Sequence, residues 1–345
     1  MTRRNIEILE KNAVDILGPQ VFVLDVGHGN CTVIMDSHST VIVDAGPGAV
    51  LMEFLLTQGI SSIDKIVISH ADSDHISGLI AIFSSQQFSV GEIWINSDAF
   101  KTSKAWENLR FEIQELEESG QLKVVGSICR GNRIDTAIEG LLIDVLSPRR
   151  AVALLGPNGK SVTPNTMSAV LRISYDGHPF ILLPGDMDAR AFDEMLSIEQ
   201  SLKADYLVLP HHGGRWGSGR ALSELVSNLC EMVQPNEVII SNGRGRFDNP
   251  RPEVIGAVRL TVPDAHVSCT QLSKSCAIDV PLENTGLNES VFSAGKEGNA
   301  CCAGSIVLSM RPDSLMVRDY SAHDAFVDAF SNTALCRKRS QSLPD

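Results

Sequence analysis

The sequence has no uninterrupted apolar run of about 18 residues, the length needed to span a bilayer as a helix, so no transmembrane helix is expected. Met1 to Gln20 mixes Arg3, Arg4, Glu7, Glu10, Lys11 and Asp15, without the apolar stretch or small-residue cleavage site of a secretory signal. The chain is therefore expected in the cytoplasm, with no membrane partner and its eight cysteines reduced or metal-bound rather than paired in disulfides. Positive charge is also in short supply: 29 Lys and Arg face 42 Asp and Glu, a net charge of −13. Proteins that coat nucleic acid along its phosphates are usually basic, which argues against that class. A phosphate-ester substrate would instead need a local positive pocket or bound cations, which reverse the sign of the field around them. Aromatic residues are scarce at 5%, yet the hydrophobic share of 43% is ample for a large buried core. Nothing in the composition points to disorder, collagen or a coiled coil.

What the sequence does contain is a succession of short apolar runs that end in polar residues. Val21 to Val26, Cys31 to Met35 and Thr40 to Val43 predict a three-stranded meander. A helix over 49–59 and a strand from Ile63 to Ser69, buried on both faces, follow. Ala169 to Tyr175 and Pro179 to Leu183 predict a hairpin across Asp176 and Gly177; Ala204 to Leu209 and Glu237 to Ser241 predict strands, with helices near 188–199 and 219–232. No fixed-period repeat is present, and 282–300 is expected to be a flexible loop. Two groups of strands, each with helices, predict an α/β fold of two sheets packed face to face with helices outside. The expected organisation is a lead-in at 1–19, one domain over 20–310 with a cysteine-bearing hairpin at about 266–310, and a C-terminal tail at 311–345.

The chemistry is concentrated in His70-Ala71-Asp72-Ser73-Asp74-His75, which packs four metal-ligand side chains into six residues after a buried strand. In a tight loop, the first pair can face one ion and the second pair another. Imidazole with carboxylate suits zinc, manganese or ferrous iron. A solvated loop with capping aspartates is the plainer alternative, and this density of ligand types argues against it. Other polar residues also follow strands, at 25, 44, 186 and 211–212. Strand ends on a rigid sheet are where a fixed constellation can be held.

This segment resembles the His-x-[His/Asp]-x-Asp-His motif of the metallo-β-lactamase superfamily. Asp44, Asp186 in Leu183-Pro184-Gly185-Asp186, and His211-His212-Gly213 resemble, in order, that family's supporting aspartate, bridging carboxylate and final histidine motif. A narrower resemblance is to the metallo-β-lactamase domain of ComEC/Rec2 competence proteins, and it covers about residues 20–275. It rests on Asp25-Val26-Gly27-His28-Gly29-Asn30, on Asn165 to Leu171 including Ser168, on Leu209 to Gly213, and on Ser241-Asn242-Gly243 with Asn249-Pro250. The departures are specific. The third histidine of many members has no clear match: His178 lies nearby in a hairpin, and Asn165 or Ser168 is expected to stand near its place. His28, Asn30 and Asn249 replace a usual Gln, Asp and His, and the last change removes a family general acid.

The resemblance implies a four-layer αββα sandwich and two divalent ions, zinc or manganese, about 3.5–4 Å apart, that lower the pKa of a shared water. The ligands would be His70, Asp72, Asp74, His75, Asp186 and His211, with Asp74 also orienting the nucleophile and His212 protonating the leaving group or orienting its neighbour. His211 is preferred over His212 as the ligand. Asp25, His28, Asp44, Asn165, Ser168, Arg244 and Arg246 would support the ligands or contact substrate. An oxygen-rich site would favour manganese. The expected activity is hydrolysis of a phosphodiester, in DNA or a nucleotide, with thioester or lactam hydrolysis weaker options. The alternative is a non-catalytic subunit of a larger bacterial system, in defence for example, with a protein partner.

Arg215, Arg220, Arg244, Arg246 and Arg251 fall in two glycine-rich loops and suit phosphate, or are solvated surface. Trp94 and Trp106 flank an apparent insertion and are expected in packing; His38, Asp205 and His323 are expected to be bland. Cys269, Cys276, Cys301 and Cys302 fall within 34 residues near the C-terminus. They predict a structural zinc, small buried hydrophobes, or a labile disulfide. Adjacent strand residues point to opposite faces, so only one of Cys301 and Cys302 would serve.

Overall fold

The computed structural model describes residues 18–96, 103–155, 162–199, 201–216, 221–245, 247–282, 292–310, 318–331 and 333–337. Residues 1–17, Arg220, Arg246 and 283–291 of the 282–300 loop lie outside them. The first sheet contains β1 (Gln20–Val23), β2 (Cys31–Met35), β3 (Thr40–Ala45), β4 (Ser62–Ile68), β5 (Ser89–Ile95), β6 (Lys123–Val125) and β14 (Ile306–Ser309). The second contains β7 (Arg133–Asp135), β8 (Leu141–Ser147), β9 (Val170–Tyr175), β10 (His178–Leu183), β11 (Tyr206–Val208), β12 (Glu237–Ile240) and β13 (His266–Cys269). Their spatial orders are β14-β1-β2-β3-β4-β5-β6 and β13-β12-β11-β10-β9-β8-β7.

The two sheets share a pairing pattern. β14, β1, β2 and β3 pair antiparallel, then β3 to β6 pair parallel. β7 to β10 pair antiparallel, then β10 to β13 pair parallel. Each sheet therefore changes sense once, at β3/β4 and at β10/β11.

Strand alternation builds three apolar layers. Val21, Val23, Val41, Val43 and Val67 meet Ile143, Leu171, Ile173 and Ile181 between the sheets. The opposite faces carry Phe22, Leu24, Ile42, Ile66 and Ile68 outward against the helices α1 (Val50–Thr57), α2 (Ser73–Ser84) and α3 (Lys104–Glu118). Leu182, Leu207, Val238 and Ile240 do the same on the second sheet. They pack on α5 (Ala189–Leu196), α6 (Leu222–Val233), α7 (Pro252–Thr261) and α8 (Ser321–Phe330). A short helix, α4 (Arg150–Leu155), follows β8. The result is the expected helix–sheet–sheet–helix sandwich. Strands buried on both faces read as continuous apolar runs, and a one-residue slip would invert both layers at once. Truncating a core side chain such as Leu182 to alanine should cost about 2–5 kcal/mol.

Trp106 is buried among the first sheet's outer layer, as expected of a packing residue. Two expectations about the C-terminal part are corrected. The expected hairpin over 266–310 does not form: β13 is the edge of the second sheet and β14 the edge of the first. The two segments meet through a bridge between Gln271 and Cys301 and through backbone hydrogen bonds from Leu272 to Ala300 and from Cys302, Ala303 and Gly304 to Thr270 and Cys269. The expected tail contributes α8, with Phe326 and Val327 in the second sheet's outer core. Among the described residues, no helix is long and apolar enough to cross a membrane.

Candidate metal centre

The candidate ligands hang from strand ends where the two sheets change from antiparallel to parallel pairing. Asp44 is the penultimate residue of β3, the His70 loop follows β4, Asp186 follows β10, and His211 and His212 follow β11. In α/β sheets such a change of sense opens a crevice at the carboxyl ends of the strands. Asp72 occupies the N-cap position of α2, but its side chain makes no capping hydrogen bond. The capping explanation of this aspartate therefore fails. Asp74 and His75 sit on the first turn of α2, where the helix dipole favours a carboxylate.

Asp186 organises the site by dividing its two oxygens. Its Oδ1 lies 3.5 Å from His75 Nε2 and 3.9 Å from His212 Nε2. Its Oδ2 lies 3.4 Å from His211 Nδ1 and 3.8 Å from His70 Nε2. Asp74 Oδ2 is 3.4 Å from His212 Nε2, and Asp72 Oδ2 is 3.8 Å from His70 Nε2. Asp74, His75, Asp186 and His212 each offer a ligand atom, all within 4.8 Å of one another. His70, Asp72 and His211 gather on the other side of Asp186. The structure brings both histidines to Asp186: His212 Nε2 belongs to the compact group, and His211 Nδ1 faces the second oxygen. The donor set is three carboxylates with four imidazoles, more nitrogen-rich than the oxygen-rich site expected.

The residues fit bound divalent ions. The Nε2 atoms of His75 and His212 and Oδ1 of Asp186 are buried without a hydrogen bond. Buried polar atoms left without hydrogen bonds are costly, and here several converge on one place. The far sides of the His75 and His212 rings are already committed. His212 Nδ1 lies 2.8 Å from the carbonyl of Ser241, which can only accept, so Nδ1 carries the proton and Nε2 presents its lone pair to the centre. His75 Nδ1 donates to Asp44 Oδ2 at 2.7 Å. Asp44 also accepts from the backbone N–H and Oγ of Ser69, both at 2.7 Å.

Backbone conformation supports the same constellation. Asp44, His211 and His212 hold φ of 57°, 52° and 55°. Left-handed backbone at non-glycine residues costs of order 1–3 kcal/mol each and tends to collect at functional sites. Gly185, at φ 54°, precedes Asp186, and a Cβ there would stand 2.5 Å from Ser168 Oγ. That hydroxyl accepts the Asp186 N–H at 3.0 Å. Gly29 passes so close to the Asp74 carbonyl that any side chain would collide with it.

The electrostatics are those of a carboxylate–imidazole cluster. Burial tends to raise the pKa of Asp74, but contact with His212 and the charges of His75 and His212 outweigh it and hold the carboxyl well below its usual range. Asp186 is lowered against the same burial penalty, by His75 foremost. Burial disfavours charge on His75, yet Asp44 and Asp186 raise its pKa well above the ordinary value. His211 moves the other way, lowered by burial that Asp186 only partly offsets.

Other expected residues fall in three places. His28 reaches the centre: its Nε2 is 3.5 Å from Asp74 Oδ2, and its ring lies 4.3 Å from that of His212. Ser168 holds the Asp186 loop, and Asn165 does so with its carbonyl, which accepts the Asp188 N–H. Asp25 and Arg244, in contrast, act away from the ligands. Asp25 accepts from Gly27 N, Gln271 Nε2, Ser293 Oγ and Gly295 N, which ties the first loop to the C-terminal region. Arg244 spends its guanidinium on the carbonyls of Leu272 and Ala277. Arg246 lies outside the described residues. His178 does not supply the third family histidine, because it pairs with Asp205 at 2.7 Å on the surface. Asn249 stands near the His211 carbonyl at 3.4 Å. Residues missed in the sequence are Ser69, Asn96 and Phe247. Ser69 adjoins the motif and organises Asp44, while Asn96 Nδ2 donates to the carbonyls of Ser69 and Met167. Phe247, half exposed, lies 4.5 Å from the His28 ring. Only the position of Ser69 beside the ligands carried a signal.

A family model described as the metallo-beta-lactamase superfamily matches residues 24–235. ComE operon protein 3 of Bacillus subtilis is 27% identical over 210 residues, 60% of this chain and 23% of that protein. Recombination protein 2 of Haemophilus influenzae is 26% identical over 233 residues, 65% of this chain and 24% of that protein. The chain thus spans about a quarter of the length of these curated relatives. Among solved structures, the metallo-beta-lactamase fold protein YhfI from Bacillus subtilis superposes with a TM-score of 0.48 at 12% identity, over 73% of this chain and 96% of that one.

Proposed function

The chain belongs to the metallo-beta-lactamase superfamily of metal-dependent hydrolases, and we propose that within it the chain hydrolyses a phosphodiester, in nucleic acid or a nucleotide. The observation that carries the reading is the division of Asp186 between two ligand groups. Sites that hold two adjacent ions recur in phosphatases and nucleases. Asp74, His75, His212 and Asp186 Oδ1 would hold one ion, and His70, Asp72, His211 and Asp186 Oδ2 a second. Divalent ions bound there supply Lewis-acid polarisation of a phosphoryl oxygen and a water acidified toward neutrality.

The chain's own residues supply orientation and a route for the proton. Asp44 and the Ser241 carbonyl fix the His75 and His212 tautomers, so that neither ring turns away. His28 lies beside Asp74 at the edge of the centre, within reach of a leaving-group oxygen, and fills the general-acid place that Asn249 cannot. Beside it, the half-exposed Phe247 ring offers a face on which a base can stack. The net charge of −13 fits recognition confined to this centre rather than along a phosphate track. The name of one relative, Recombination protein 2, also favours nucleic acid as substrate.

The test is turnover of bis-p-nitrophenyl phosphate, single-stranded DNA and cyclic dinucleotides with manganese or zinc added to metal-free protein. Metal-dependent cleavage of a phosphodiester, lost in Asp74→Ala, is expected. Two bound ions without cleavage of any phosphodiester would favour a non-catalytic subunit with a protein partner instead.

A further inference from the structure

The thiols expected to hold a structural zinc, Cys269, Cys276, Cys301 and Cys302, are not arranged for one. Cys269, Cys276, Cys302 and Cys336 line a small apolar cavity beside α8, closed by Leu272, Phe326 and Val327. No three of their sulfur atoms come within 4.8 Å of one another, and Cys301 Sγ turns instead to Ser293 Oγ at 2.9 Å. These thiols serve as small packing residues. Beside them lies a different donor set. His266 at the start of β13, and His323 and Asp324 in the first turn of α8, each present one ligand atom, all within 4.8 Å of one another. None of the three falls within residues 24–235. His266 pairs with Glu237 at the amino ends of β13 and β12, whereas the cleft residues follow the carboxyl ends of their strands. The two donor sets therefore stand at opposite ends of the second sheet.

The sequence marked His323 as bland, yet both imidazoles are buried, His323 4% and His266 6% exposed. Their facing nitrogens, His323 Nδ1 and His266 Nε2, stand 3.0 Å apart. His266 Nδ1 lies 3.7 Å from Asp324 Oδ1, longer than a hydrogen bond. Donor atoms bound at about 2.0–2.1 Å to one tetrahedral ion stand roughly 3.4 Å apart, so both spacings are close to those of a shared ion. Each ring is also held from outside the set. Tyr320 stacks on His266 with ring centroids 3.8 Å apart and planes 9° from parallel. Cys302 Sγ lies 3.3 Å from His323 Nε2. Partners behind the ring are what a metal-binding imidazole needs to keep its orientation. Arg318, a neighbouring cation that would oppose an ion, is held 2.9 Å from the buried Glu237 carboxylate. The Asp324 side chain is 63% exposed, which gives an ion a way in from solvent.

We propose that His266, His323 and Asp324 form a second metal site, for zinc, which ties α8 to the amino end of the edge strand β13. Two imidazoles with one carboxylate suit zinc, and water from the exposed side completes the coordination. On loading, the proton shared between the two rings moves to a nitrogen that does not ligate, so both imidazoles bind neutral and Asp324 supplies the one negative charge. The ion joins two segments more than 50 residues apart in the chain, at the edge where the second sheet has no further strand to pair with. The site is independent of the chemistry assigned to the cleft.

The experiment uses the full chain with the cleft ligands removed by Asp74→Ala, His75→Ala and Asp186→Ala. Zinc is added to metal-free protein, the excess removed by desalting, and zinc per chain measured together with the melting temperature. About one retained zinc and a zinc-dependent rise in melting temperature are expected. Both should be lost when Asp324→Ala is added. Both should be kept with Asp328→Ala, which removes the same charge one turn further along α8, from a side chain 65% exposed. Absence of retained zinc in the folded cleft variant overturns the proposal, as does equal retention in the Asp324 and Asp328 variants. Should the cleft variant fail to fold, the same two substitutions are compared in the otherwise unaltered chain. There Asp324→Ala should hold about one zinc fewer than Asp328→Ala, and equal zinc in the two would overturn the site whatever the cleft binds.

Discussion

The cleft around Asp186 and the thiol cavity beside α8 gather metal-type side chains by opposite means. In the cleft, oxygen and imidazole donors come from loops at the sheets' switch points, and part of the set is open: the Asp74 and His211 side chains are 17% and 14% exposed. In the cavity, sulfur donors sit on edge segments and are enclosed by apolar side chains. An open mixed-donor site suits chemistry on a substrate, while enclosed thiols among apolar side chains suit packing. The buried imidazoles divide the same way. Carboxylate neighbours raise the pKa of His75, whereas burial, aided by the charge of Arg318, lowers that of His323 to about 4.

The largest effects should separate the two regions. Asp74→Ala and His75→Ala are each expected to lower phosphodiester turnover by more than about 100-fold, beyond the loss typical of an outer supporting residue. Circular dichroism should show the fold retained. Cys336→Ser should leave the rate per bound cleft metal unchanged and lower the melting temperature. Wild-type turnover in Asp74→Ala would end the assignment of the cleft, and a rate collapse in Cys336→Ser would erase the contrast.

A smaller effect is expected one step out from the ligands. Asp44→Asn removes the carboxylate that orients His75 and should weaken metal affinity by about 10–100-fold, as read by competition with a chromophoric chelator. An affinity equal to wild type would show that the helix alone fixes the ring.

Acid should act on the thiol region through His323. Its pKa of about 4 in the fold lies below the value near 6.5 of an unfolded chain. The stability it contributes is therefore complete above about pH 6.5 and is lost as the pH falls toward 4, by about 3 kcal/mol in all. Denaturant titrations of metal-free protein across this window should show the decline, and His323→Asn should flatten it. An unchanged slope in that variant would place the acid sensitivity elsewhere.

The smallest effect belongs to a surface pair. His178→Ala breaks an exposed contact with Asp205 and should cost no more than about 1 kcal/mol, with metal content unchanged. Loss of a cleft metal in this variant would restore His178 as the family's third histidine.

Legibility differed between the same two regions. The strands 31–35, 40–45, 62–68, 170–175 and 178–183 were readable because each is a short apolar run bounded by turn residues, and the structure places strands there. The dense motif at 70–75 was readable because its ligands are neighbours in sequence. The partition of Asp186 was not, since it depends on which oxygen faces which ring. Arg244 illustrates the converse error: a loop arginine after a metal-bearing strand suits phosphate, yet nearby carbonyls claim it.

Local pattern thus determined the ligand types, the strand ends that carry them and the layered sandwich, because period and spacing act over a few residues. Tertiary structure alone decided that His212 joins Asp74 and His75, that β13 and β14 part into different sheets, and that Cys336 rather than Cys301 meets Cys269. Those choices rest on contacts between segments far apart in the chain, where no spacing rule reaches and only the closing of the two sheets fixes the geometry.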